Sequence, residues 1–312
     1  MKKDSFDFYS NTNIKSYNLS ESMRYQLSIL DRLDVYTRKH SENVANLTCR
    51  ICEYLHCKKE FIIYCTICAY LHDIGKIFIP PSILQKNGPL TEQEYEKMKT
   101  HTTIGYNMCI KDPELKLFAN GALYHHEALN GSGYPNGKTK KDIPYEGRII
   151  RVADEFDAIV SKRQYKSHVG ISDTLKMLIE ETKYIPKSVA LKSMEGNTKL
   201  GKISTRIVHA LCKVIIDDTE YEIACAMDYI KYLKIQIKRL EKIQKINIKI
   251  QKTKNETKKG YYIELVKEEF EGGETFGNFM HILEEYRTAV YKKQETIDNL
   301  ITEIKEIKKL SI

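Results

Sequence analysis

The chain contains no tryptophan, and only 7 prolines and 15 glycines in 312 residues. That scarcity excludes collagen-like and linker-type chains and leaves room for long unbroken helices. The longest apolar stretch, residues 61–71, is interrupted by polar residues and falls short of the ~20 needed to span a bilayer. The N-terminal MKKDSFDFYSN turns acidic and polar where an export signal needs its apolar stretch. These absences predict a cytoplasmic chain with no membrane partner.

An apolar fraction of 42% beside 29% charged residues is enough for a packed core. The formal net charge of +8 is unevenly placed: residues 1–230 carry +3, residues 231–259 carry +9, and residues 260–312 carry −4. One short segment therefore supplies the excess, which argues against a nucleic-acid polymer as the general partner. Eight cysteines include two CxxC pairs, Cys49/Cys52 and Cys65/Cys68. A zinc site is one reading; buried reduced thiols are the preferred one, because both pairs fall inside helical patterns.

The pattern is helical nearly throughout. Apolar residues recur at helical spacing over 20–56, a second helix covers 58–73, and Thr91 caps a helix that carries His101 to about Ile110. A helix opened by Pro113 ends at His125-His126, residues 130–147 read as a Gly/Pro loop, and a helix follows over 148–161. Residues 174–181 and 204–216 read as further helices around an irregular 183–203, and Tyr261–Val266 is short and β-prone. From about Glu222 the apolar residues follow 3-4 spacing on a Lys-rich helix, then a heptad from Leu283 to Ile307 with Lys293 at a seam position. An antiparallel helical hairpin whose basic and acidic arms compensate each other, a dimerising coiled coil, and a nucleic-acid arm are the three readings of this tail. The expected division is an extension over 1–25, a helical domain over 26–221 and the tail over 222–312.

Five of the nine histidines, His40, His72, His101, His125 and His126, fall with Asp73 and Asp154 on successive helices. Singly, each has a bland reading as a surface or satisfied core residue. Together they exceed what one ion needs, and donors without thiolate suit two borderline-hard ions such as iron or manganese. Two such ions fit phosphoester hydrolysis. Lys76, one turn after His72, can face the same cavity and neutralise a phosphate oxygen.

The run His72-Asp73-Ile74-Gly75-Lys76, preceded by His40, resembles the HD superfamily of metal-dependent phosphohydrolases. HHEALNGSGYP at 125–135 and RVADEFDAIVSKRQYK at 151–166 resemble its HD-GYP subfamily, over about residues 25–220. The resemblance implies an all-α HD-type bundle and a phosphodiesterase acting on a cyclic dinucleotide, usually cyclic di-GMP. It implies metal ligation by His40, His72, Asp73, His101, His125, His126 and Asp154, with Asp73 bridging. It also implies phosphate contacts from Lys76, Arg163 and Lys166, and places Tyr134 at the substrate pocket. Three positions depart from the pattern. Tyr36 replaces a glutamate that ligates a third metal in some members, Asn130 replaces an acidic residue, and 183–203 is long and polar. A mixed cyclic GMP-AMP or another phosphoester as substrate, or a silent receptor that only binds the dinucleotide, are the alternatives.

Overall fold

In the computed structural model, which describes residues 32–162, 170–183, 200–270 and 273–310, the chain is built of helices. Among the described residues the only β-type pairing is an isolated bridge between Asn130 and Thr139. Among the described residues two compact units emerge, one ending at Ile215 and one within residues 216–309.

The first unit opens with α1 (Val35–Tyr54), whose N-terminus is capped by the Asp34 carboxylate accepting from the Tyr36 and Thr37 amides. Its apolar stripe, with Val44, Ala45, Cys49, Ile51 and Cys52 buried, packs on α2 (Lys59–Leu71) and α7 (Tyr145–Lys162). The stretch Lys59–Phe78 is by composition long and apolar enough to cross a bilayer, longer than the run read from the sequence. Here it is a core element: 56% of its most apolar window is buried within the chain. Each fully buried Leu or Ile, such as Ile51, Leu71 and Ile150, contributes about 1.5–3 kcal/mol of apolar burial.

After α2 come a 3-10 turn (Ile74–Phe78), α3 (Pro81–Leu84), α4 (Glu92–Lys99) and α5 (His101–Lys111). Thr91 and Glu94 form the expected reciprocal cap, but the single helix expected to carry His101 is broken at Thr100. There the Thr100 hydroxyl and amide both donate to the Lys97 carbonyl, a tight turn that makes His101 the first residue of α5. The helix expected from Pro113 is likewise resolved into a 3-10 turn (Lys116–Phe118) and α6 (Ala119–Tyr124). Two glycines permit the closest approaches: a Cβ on Gly75 would lie 2.0 Å from the His101 carbonyl oxygen, and one on Gly121 would lie 2.2 Å from that of Cys68. α8 (Ile171–Glu181) and the start of α9 (Thr205–Lys252) complete this unit. All eight cysteines are free, and six of them are buried. No cysteine belongs to a potential metal-ligand group among the described residues.

The second unit holds the rest of α9, α10 (Glu256–Glu269) and α11 (Phe279–Lys309). The β-prone stretch Tyr261–Val266 is helical, because the Asn255 side chain caps α10 by accepting from the Lys258 amide, and Val266 is buried in a core with Leu240, Ile243, Phe279 and Leu283. Along α9 and α11, Glu220 pairs with Lys308 at 2.8 Å and Glu241 with Arg287 at 2.8 Å, so contacts ascend one helix as they descend the other. Ala226 and Ile230 pack with Ile297 between these ends. The expected compensation of the basic arm is only partial. Arg239 pairs with Glu274 and Lys242 with Glu269, whereas the remaining lysines of α9 point outward. Lys293 is exposed rather than at a seam.

Candidate metal centre

The end of α2 positions the centre. The α-helix stops at Leu71, and the 3-10 turn that follows points His72 and Asp73 inward, where they are 0% and 1% exposed. Around Asp73 the imidazoles gather on two sides. Asp73 Oδ2 lies 3.3 Å from His72 Nε2 and 3.7 Å from His40 Nε2. Asp73 Oδ1 lies 3.4 Å from His101 Nε2 and 3.9 Å from His125 Nε2. Asp154, from α7, sets Oδ1 at 3.0 Å from His40 Nε2 and 3.8 Å from His72 Nε2, and Oδ2 at 3.9 Å from His126 Nδ1. The two nearest Nε2 atoms, of His101 and His125, are 3.2 Å apart.

The outward nitrogen of each of four rings is held by an acceptor. His72 Nδ1 meets the Ala69 carbonyl at 2.6 Å, His101 Nδ1 that of Met98 at 2.7 Å, and His125 Nδ1 that of Gly121 at 2.9 Å. His40 Nδ1 meets Asp157 Oδ2 at 2.6 Å, and Asp157 Oδ1 in turn accepts from Asn43 Nδ2 at 3.0 Å. A proton on each Nδ1 leaves the Nε2 lone pair free to point inward, which is how ligating histidines are oriented.

Electrostatics keep three of the imidazoles neutral, with His40 the exception. Burial lowers His101, and lowers His125 and His126 well below the ordinary imidazole value, so these rings are neutral and able to donate to a cation. Burial alone would raise Asp73, but Lys76 and His72 hold its carboxyl well below the usual range. The Lys76 ammonium sits 2.5 Å from Asp73 Oδ2. Burial would lower His40, yet its hydrogen bonds to Asp154 and Asp157 raise it to about 10.

Three groups of donors each lie within 4.8 Å of one another: His40, His72 and Asp73; His101, His125 and His126; and His72, His125 and Asp154. Two buried atoms at the centre, His72 Nε2 and Asp73 Oδ1, have no hydrogen-bond partner. Buried polar atoms without partners are costly unless an ion satisfies them. The set is nitrogen and carboxylate without thiolate, which suits divalent metal ions.

All seven ligands expected from the sequence thus converge, joined by Lys76. Arg163 and Lys166 lie outside the described residues, as do residues 1–31 and 184–199. Tyr134 lies at the centre's edge, where its ring stacks on His126 with centroids 4.6 Å apart and meets Tyr95 edge-on at 6.4 Å. Tyr36 is exposed. Asn130 forms a turn, its Oδ1 accepting from the amide and hydroxyl of Ser132 at 3.1 and 2.7 Å.

Three supporting residues escaped the sequence reading. Asp157 orients His40 and stands one turn after Asp154. Glu127 is buried and ties the glycine-rich loop down, its two oxygens accepting from the amides of Asn136 at 2.7 Å and Lys138 at 2.8 Å. Arg151 Nη1 donates to the His126 carbonyl at 3.0 Å, which also accepts from the Tyr134 amide at 3.1 Å.

A family model described as HD domain matches residues 25–189. The chain is 47% identical over 156 residues to a cyclic di-GMP phosphodiesterase of Thermotoga maritima, covering 48% of this chain and 42% of that protein. It is 40% identical over 154 residues to a cyclic di-GMP phosphodiesterase response regulator of Xanthomonas campestris, covering 47% and 41%. A 3'3'-cGAMP-specific phosphodiesterase of Vibrio cholerae is 36% identical over 152 residues, covering 49% and 33%. The matched part spans less than half the length of each of these relatives. On the extent of the family match and on its HDIGK, HHE and GYP segments, the chain belongs to the HD domain family and is of the HD-GYP type.

Proposed function

We propose that the chain hydrolyses a cyclic dinucleotide, cyclic di-GMP in the first place, to the linear pGpG, using two divalent ions that are iron or manganese. The observation that carries this reading is the two-sided environment of Asp73, whose Oδ2 faces His40 and His72 while Oδ1 faces His101 and His125. In this reading His40, His72 and Asp154 would hold one ion and His101, His125 and His126 the other, and Asp73 would serve both. Ions held there would polarise a phosphoryl group and make water nucleophilic at neutral pH.

The chain's own residues do the rest. Lys76, anchored to Asp73, keeps further N–H donors for a phosphate oxygen. Tyr134 covers His126, and the carboxylate of Glu127 holds the loop that carries Tyr134 in place. Arg163 and Lys166 take the remaining phosphate oxygens. The activity of the relatives supports the substrate class; the 3'3'-cGAMP-specific relative supports that mixed dinucleotide as the second substrate to test.

Protein loaded with iron or manganese is expected to convert cyclic di-GMP to pGpG. Intact substrate beside a confirmed metal content would overturn the proposal, and faster turnover of 3'3'-cGAMP would move it to that substrate. Asp73→Ala is expected to lose both bound metal and turnover; a variant that keeps its full metal content refutes the bridging role.

A further inference from the structure

A second feature lies in the C-terminal unit, remote in sequence from the metal donors. Lys231, Lys234, Lys238, Lys242, Lys245, Lys249 and Lys252 are all exposed on α9. At 3.6 residues per turn they and Met227 fall within an arc of about 80°, a stripe about 38 Å long. Lys242 alone of the seven has an ion-pair partner, Glu269, among the described residues. The single arginine of this stretch, Arg239, is turned away from the stripe and committed to Glu274. Six ammonium groups with no ion-pair partner among the described residues stand on one line and repel each other, an arrangement that an anionic surface relieves.

Apolar side chains sit among these charges. Met227 is 54% exposed, Ile235 59% and Ile248 43%. Met227, Ile230 and Ile235 line a shallow groove of about 510 Å³ together with Lys231, Lys234, Lys238 and Gln294 of α11. Exposed aliphatics set among lysines fit a phosphate carried on a hydrocarbon chain. Nucleic acid is less well served: the exposed rings of this stretch, Tyr229 and Tyr232, stack on each other and do not line the groove, and the stripe offers no guanidinium for bidentate phosphate recognition.

We propose that the lysine stripe of α9 lies against an anionic phospholipid surface, with Met227 and Ile235 entering the headgroup layer. Lysines near such a surface act by charge, and the exposed aliphatics add burial, which is the physics of an interfacial helix face rather than a spanning one. This contact is peripheral and is independent of what the metal centre hydrolyses.

The test is co-sedimentation of the full chain with vesicles of phosphatidylcholine alone and of phosphatidylcholine containing about one-third phosphatidylglycerol. The chain is expected to bind the anionic vesicles at least about tenfold more tightly and to be released by salt. The variant K231E/K234E/K238E should lose roughly tenfold or more in binding, and M227S/I235S several-fold, with unchanged far-UV circular dichroism in both. Equal binding to the two vesicle types, no binding to either, or full binding by the charge-reversed variant would overturn the proposal. So would tighter binding of a single- or double-stranded oligonucleotide, insensitive to M227S/I235S, in the same buffer.

Discussion

His40 shows how much of this centre depends on residues that never reach the ions. Its Nε2 points at Asp154 and Asp73, but the direction is set from behind by Asp157, itself steadied by Asn43. Asp157→Asn keeps the shape and lets the amide NH2 face the ring nitrogen, which favours the wrong tautomer. A loss of about 10–100-fold in metal affinity or activity is expected. Metal titration of the folded variant checks it, and unchanged affinity would deny Asp157 that role. The ligands themselves were legible because adjacent or motif-borne polar residues in an apolar context stand out. Their supports were not. Three of the four acceptors behind the rings are backbone oxygens, of Ala69, Met98 and Gly121, and a backbone oxygen has no signature in sequence. Glu127 was within the quoted motif, yet its role needs the chain to turn back nine and eleven residues later.

Between elements, the contact that matters most is the 3-10 turn against the start of α5. Gly75 touches the His101 backbone so closely that any side chain must push the two apart. Gly75→Ala therefore separates Asp73 from His101 as well as straining the packing, at a cost of about 1–3 kcal/mol. A lowered melting temperature together with weakened metal binding is the expected pair of results; an unchanged melting temperature would contradict the contact. The helices also bury thiols. Burial pushes Cys49 up to about 12, and Cys109 and Cys212 up to about 11. The folded state then holds protons that the unfolded thiols release from about pH 9, so stability falls as pH rises from there toward 11–12. Denaturant midpoints at pH 8 and 10 test the sign, and Ellman's reagent at pH 8 should find these thiols slow until the chain unfolds. Helix positions read well from apolar spacing, whereas breaks such as Thr100 did not, because a single hydroxyl folding back on Lys97 leaves the periodicity almost intact. The β-prone run Tyr261–Val266 left α10 without a helical signature of its own; what decides it is the Asn255 cap six residues in front.

For the whole molecule, the two units should respond differently to metal. Ions that bind only the folded state raise the melting temperature with concentration. Chelation is accordingly expected to lower the melting transition of the first unit, read by calorimetry with and without iron or manganese; identical transitions would count against a metal centre. Uptake should also release a proton, since His40, raised to about 10 without metal, must lose it to ligate. Apparent affinity therefore rises with pH, and competition experiments at pH 6 and 8 would show the direction.

The donors of this centre are contributed by segments as far apart as His40 and Asp154, 114 residues along the chain. An ion among them acts as a clasp on a long loop, like a cross-link that can be opened by a chelator. Removing it should free α1 and α7 to breathe against one another while the cores of the C-terminal helices stay shut. Amide hydrogen exchange would register that as faster exchange in the helices that carry the donors, with the C-terminal helices unchanged.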